Sequence, residues 1–310
     1  MLSRRNVRVK VMQQLYSLAQ DRDLNFRDAV NAYYSTIQDS FRLYLLNLYC
    51  IIKVCSFAAE DSKNRITKHI KTDEDKLFTD KIFSNPLITS LVNNKVLQAK
   101  FKEEKCGEGL DEDLFRKIYK EFCKEEAYQK YLSSESTNED HVEILLELYR
   151  FCRKNEVFNE IMDDRFCGWT DDKSLVIGAL KKTLKILPKS GPIYEEHIPD
   201  DDTVEVFGKF LLENTHKQDQ ELEALINPVL ENWDSERVAL IDMILIKMGV
   251  VEMTNFKTIP AKVTLNEYVE LSKTYSTDKS KEFVNGVLDK LLKQLDSEGK
   301  IVKEGRGLNL

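Results

Sequence analysis

Four cations stand at the start of the chain. Arg4, Arg5, Arg8 and Lys10 fall within the first ten residues, with no acid among them. Guanidinium groups neutralise phosphates, release counterions and stack on unpaired bases, so such a cluster suits a polyanion, single-stranded nucleic acid above all. Arg4, Arg5 and Arg8, at i, i+1 and i+4, gather around one side of a helix. Cations in a first turn oppose the helix dipole at a cost of a few tenths of a kcal/mol, which points to a use other than helix stability. Tyr16, two turns beyond Arg8, can lie on the same side. An exposed ring there stacks a base for roughly 1–3 kcal/mol; the other reading is a core tyrosine.

The residue patterns of enzymes and metal sites are missing. There is no GxxxxGK[ST] or GxGxxG phosphate loop and no HExxH or GxSxG motif. Acid pairs such as Asp163–Asp164 and Asp200–Asp202 read as solvated faces or loops in a chain that is 32% charged. The six cysteines form no CxxC pair and the four histidines are scattered, so the expectation is no zinc, no disulfide framework, no cofactor and no catalysis.

The elements that position these residues must be helices. Only 11 Gly and 6 Pro punctuate 310 residues, too few for a turn-rich β fold, and apolar residues make up 42%. The net charge of −7 confines any polyanion site to a local patch. The most apolar stretch, Phe41–Ala59, contains Arg42, Asn47 and Lys53, which favours a buried helix over a membrane span. Arginines interrupt the N-terminus where a signal core would lie, so a cytoplasmic location is expected.

Apolar periodicity predicts helices from Ser3, a fair N-cap, to Gln20, and over Arg27–Ala59, Pro86–Lys102, Asp111–Leu132, Asn138–Lys154 and Asp171–Ile186. Pro188–Asp202 is the clearest break. Beyond it the pattern predicts Thr203–His216, Asp219–Leu230, Asp234–Thr254, Lys262–Tyr275 and Asp278–Leu295. The last carries one apolar face, Phe283, Val284, Val287, Leu288, Leu291, Leu292 and Leu295, and an Asp289–Lys293 pair.

Two separated segments together resemble one family. Arg4-Arg5-Asn6-Val7-Arg8 is followed by Leu15-Tyr16. Far downstream come Asn232-Trp233-Asp234, Leu240-Ile241-Asp242, Gly249-Val250-Val251-Glu252, Ile259-Pro260-Ala261-Lys262-Val263, Asn266-Glu267 and Lys281-Glu282-Phe283-Val284-Asn285-Gly286-Val287-Leu288-Asp289-Lys290. These strings resemble the NusB family of transcription antitermination factors, most specifically in FVNGVLDK. The resemblance covers residues 1–20 and 203–296. It implies an all-α fold of NusB-like helical bundles, with 21–202 as a large helical insertion of unknown role and 297–310 as a flexible tail. It also implies a non-catalytic factor that binds boxA-type single-stranded RNA together with the ribosomal protein NusE. That pair joins the elongating RNA polymerase with other Nus factors in ribosomal RNA transcription. Membrane association is not implied.

On that resemblance Arg4, Arg5, Arg8, Tyr16, Lys279 and Phe283 are the expected RNA contacts, and Asp242 faces the partner. Lys279 departs from an often acidic family position. Asn6 stands at a usually basic one, which thins the patch. Phe283 also lies on the apolar stripe, so core packing competes with RNA contact. Thr264 and Glu267 suit a capping box, and Trp233 suits a core anchor. The rival functions are a NusB-like scaffold that has lost RNA binding and an accessory domain of an RNA methyltransferase. The second needs a glycine-rich cofactor turn that residues 21–202 lack.

Overall fold

The computed structural model describes residues 2–68, 70, 72, 78–230 and 238–308, apart from the side chains of 306 and 307. Among these residues every regular element is a helix. In order they are α1 (Arg4–Gln20), α2 (Phe26–Ile66), α3 (Lys81–Ser84), α4 (Pro86–Val92), α5 (Lys95–Glu103), α6 (Glu112–Phe122), α7 (Glu126–Ser133), α8 (Asn138–Lys154), α9 (Glu156–Arg165) and α10 (Trp169–Ile186). A 3-10 turn at Glu195–His197 and a π-helical segment at Asp202–Lys209 follow. The chain continues as α11 (Phe210–Lys217), α12 (Asp219–Ile226), α13 (Leu240–Asn255), α14 (Ala261–Tyr275) and α15 (Ser280–Ser297). The all-α expectation holds. Trp233 and the expected helix start at Asp234 lie outside the described residues.

The chain forms two compact units, Gln38–Ile198 and Leu2–Ile37 with Pro199–Leu310. The sequence reading starts the expansion at residue 21. The structure groups residues 2–37 with the C-terminal helices, because Ala29, Tyr33 and Ile37 are buried there and the Tyr33 hydroxyl donates to the Val204 carbonyl at 2.9 Å.

The first unit closes over aromatic and aliphatic side chains of α2, α6, α8 and α10, among them Tyr44, Leu48, Phe115, Leu145, Trp169 and Leu180. The apolar stretch of α2 is thus spent on a protein core. Two expected helices are each split. Asn94 ends one by capping α5, accepting from the Leu97 amide at 3.1 Å. The other breaks at Cys123–Glu125, a turn that lets Tyr128 pack on Phe122 at 5.1 Å. One buried polar chain runs through this unit: the Tyr44 hydroxyl and Thr183 Oγ1 lie 2.7 Å apart, and Thr183 Oγ1 meets His197 Nε2 at 3.0 Å.

The second unit is built around α13. Its run Ile244–Met253 is buried on every side, enclosed by α14, α15, α1, α11 and α12. A Cβ at Gly249 would lie 2.9 Å from Leu288 Cδ2, so glycine lets α15 approach closely. The expected stripe of α15 is buried at Phe283, Val284, Val287, Leu288, Leu291 and Leu295, and Lys293 reaches Asp289 at 2.6 Å. Ser3 caps α1 as expected, in a reciprocal box with Asn6. The stretch expected to be a flexible tail folds back: Lys303 Nζ donates to the Phe256 carbonyl at 2.9 Å, and the Glu304 amide to that of Lys257 at 3.0 Å.

Candidate nucleic-acid interface

The four leading cations divide into two pairs. Arg8 and Lys10 are buried, whereas Arg4 and Arg5 are exposed. Arg8 is therefore corrected from an RNA contact to an interior group. Its Nε donates to Glu252 Oε2 at 2.8 Å, its Nη2 to Oε1 at 2.6 Å and its Nη1 to Glu267 Oε2 at 3.4 Å. Its guanidinium lies 5.1 Å from the Phe207 ring centroid and 5.8 Å from that of Tyr268. Burial alone pulls the Arg8 pKa down, but the hydrogen bonds and charge of Glu252 outweigh it, and the net shift is upward.

Glu252 is the hub. Fully buried, it also accepts from Thr264 Oγ1 and the Tyr268 hydroxyl, each at 2.9 Å. Burial, followed by the charge of Glu252, pushes the Tyr268 phenol well above its ordinary pKa. Thr264 and Glu267 are thus not a capping box: α14 starts after Pro260 without a side-chain cap, and both residues serve the Arg8–Glu252 pair. The sequence reading passed over Glu252 as a functional group. The signal was there, since one carboxylate inside the apolar run of α13 needs a buried cation or donors. Lys247, in the same run, is likewise met by Asp219 at 2.6 Å.

This lock fixes the first turn of α1 against the C-terminal helices. Arg4 then lies 5.5 Å from the Phe207 centroid and 3.6 Å from the Asp202 carboxylate. Phe207 is held by the π-helical segment, where Tyr33 bonds the Val204 carbonyl and Gly208 leaves no space for a side chain. Arg5 acts instead on Glu270 of α14. There Lys273 pairs with Glu270, whose carboxyl is held below its ordinary pKa first by that hydrogen bond and then by the charges of Lys273, Arg5 and Lys281. One carboxylate thus feels cations from α1, α14 and α15, of which Lys273 is in direct contact.

Tyr16 is 38% exposed, which decides against a core role. It follows Arg5 by eleven residues, close to three full turns, so the two share one face about 16 Å apart along the axis. Lys279 is exposed beside this patch in sequence. Phe283 and Asp242 are corrections. Phe283 is buried in the α15 stripe and cannot offer its ring to a base. Asp242 is buried too, accepting from Ser280 Oγ at 2.6 Å. It is thereby removed from any partner-facing surface and pins the start of α15, where Lys279 and Lys281 stand.

Fold and site together define an all-helical protein whose cationic terminus is locked to a C-terminal helical layer. The NusB family model matches residues 179–293. Three curated relatives, each named transcription antitermination protein NusB, are similar to the chain. The one from Salinibacter ruber is 37% identical over 111 residues, which is 36% of this chain and 69% of the relative. The one from Chloroherpeton thalassium is 38% identical over 115 residues, covering 36% of this chain and 54% of the relative. The one from Enterococcus faecalis is 45% identical over 76 residues, covering 24% and 49%. The chain belongs to the NusB family. It spans about half the length of the second and third relatives, and none of the three alignments covers more than 36% of it. No solved structure matches.

Proposed function

We propose that the second unit is an RNA-binding antitermination module, with Arg4, Arg5, Tyr16, Lys279 and Lys281 contacting a single-stranded boxA-type RNA. The supporting observation is that Arg5, Lys273 and Lys281 all act on the carboxylate of Glu270, with Arg5 on the same face of α1 as the exposed Tyr16 ring. Phosphates bind the cations and an unstacked base covers the ring. No bond is made or broken, so affinity and geometry are the whole mechanism. On this reading the protein acts in the cytoplasm with NusE, within an elongating RNA polymerase complex that contains other Nus factors, and supports ribosomal RNA transcription. Asp242, being buried, has no part in the NusE contact.

Titration of a boxA-type oligonucleotide at two salt concentrations tests this. Arg5→Ala with Lys281→Ala weakens binding and flattens the salt slope by about 0.7 for each phosphate that is no longer neutralised. Unchanged affinity and slope in that variant favour the scaffold reading. The same titration with NusE present measures whether the pair binds more tightly than either protein alone.

A further inference from the structure

The first unit carries a second cationic surface, far from the arginine patch in sequence. Residues 173–194 contain five lysines and no Asp or Glu, and residues 81–102 contain four lysines and again no acid. The fold brings these two acid-free stretches together. A cavity of about 440 Å³ is lined by Ser90, Asn93, Asn94, Lys95 and Val96 on one side and by Pro188–Gly191 on the other. Asn94 ties the walls together, its Nδ2 donating to the Gly191 carbonyl at 2.7 Å.

Lys181, Lys182 and Lys185 fall within an arc of about 100° on α10, and all three are exposed, as are Lys189 and Lys95 at the cavity. Among the described residues none of the five is in a salt bridge, whereas Lys53 on α2 is paired with Glu112. The helix dipole accounts for Lys185 in the last turn of α10. It does not account for the other four. Glu196, which acts on His197 together with Lys182, is the one acid shown near them among the described residues; holding five like charges close is unfavourable for folding, and an anionic ligand offsets that repulsion.

We propose that this surface is a second binding site for single-stranded RNA, with the lysines on the phosphates and the cavity receiving a nucleobase. The cavity wall suits a base edge: Asn93 and Ser190 are exposed, with side-chain groups that bond to nothing among the described residues, and Val96 is an exposed apolar contact for the ring. A lipid surface would call for several protruding apolar side chains instead. The site gives the expansion a role of its own, the capture of single-stranded RNA. It does not depend on the reading of the arginine patch, because its residues and its test are separate.

The test uses the full chain, a 30-nucleotide oligouridine and two variants of equal net charge. One is Lys181→Gln/Lys185→Gln/Lys189→Gln; the other is Lys117→Gln/Lys120→Gln/Lys130→Gln, three exposed lysines outside both stretches. The first variant is expected to bind several-fold more weakly, with a salt slope shallower by about 2, and to do so equally in an Arg5→Ala background. The control variant keeps the wild-type slope. Absence of oligouridine binding by the wild type, equal weakening in both variants, or lysine-dependent binding of phosphatidylserine vesicles with an unchanged RNA slope each overturns the proposal. An unaltered Arg5→Ala titration counts only against the arginine patch.

Discussion

Arg8 on α1 and Glu252 on α13 form a bidentate pair at 2.8 and 2.6 Å, inside the protein, with both side chains shielded from solvent. Removing one member of such a pair strands the other charge, typically at 3–5 kcal/mol. Arg8→Met is therefore expected to lose about that much in urea unfolding. Arg8→Met with Glu252→Gln recovers part of it. Arg5→Ala, on the exposed edge, stays within about 0.5 kcal/mol. A wild-type midpoint for Arg8→Met would contradict the buried assignment.

Tyr16 and Phe283 are predicted to separate function from stability. Tyr16→Ala leaves unfolding nearly unchanged and costs roughly 1–3 kcal/mol in RNA affinity, while Tyr16→Phe keeps the ring and most of the binding. Phe283→Ala opens a cavity in the α15 stripe and costs about 3–5 kcal/mol of stability. Calorimetry and RNA titration on the same preparations distinguish the two.

Glycine substitutions test the backbone around the arginines. A Cβ at Gly208 would sit 2.0 Å from the Tyr33 hydroxyl and 2.4 Å from Val7 Cγ1, so Gly208→Ala is expected to destabilise by about 3 kcal/mol. Tyr33→Phe does not fully rescue it, because the Val7 contact remains. At Gly178, inside α10, the space is open, and Gly178→Ala is expected to gain about 0.5–1 kcal/mol. Thermal melts of the two variants should move in opposite directions.

His197 makes the first unit acid-sensitive. Burial lowers its pKa from 6.5 to about 4. The unfolded chain therefore takes up a proton between those values while the folded chain does not, so stability is full above pH 6.5 and falls as the pH drops towards 4. The loss approaches about 3 kcal/mol by pH 4. Urea denaturation at pH 7.5 and 4.5 measures it, and His197→Gln should remove that share of the pH dependence.

Much of this was legible in the chain. Scarce glycine and proline, periodic apolar positions and the Pro188–Asp202 break gave the helices, and FVNGVLDK gave the family. The site was only half legible. Arg4, Arg5 and Arg8 are equivalent by type and spacing, and only a carboxylate 244 residues away decides that Arg8 turns inward. Phe283 was readable as core from its stripe, and Asp242 was not, because its partner Ser280 lies on another helix. The lysines of α10 were visible, but their neighbour Lys95 becomes relevant only when the fold brings α5 beside Pro188–Gly191.

The wide separation of Arg8 from Glu252 also has a consequence during synthesis. A ribosome adds about 5–20 residues per second, so on the order of tens of seconds pass between the emergence of the arginine and that of its anchor. Until then the amino terminus carries loose guanidinium groups with no fixed geometry. Competence at the arginine patch is thus withheld from the nascent chain until Glu252 has emerged and α13 can fold.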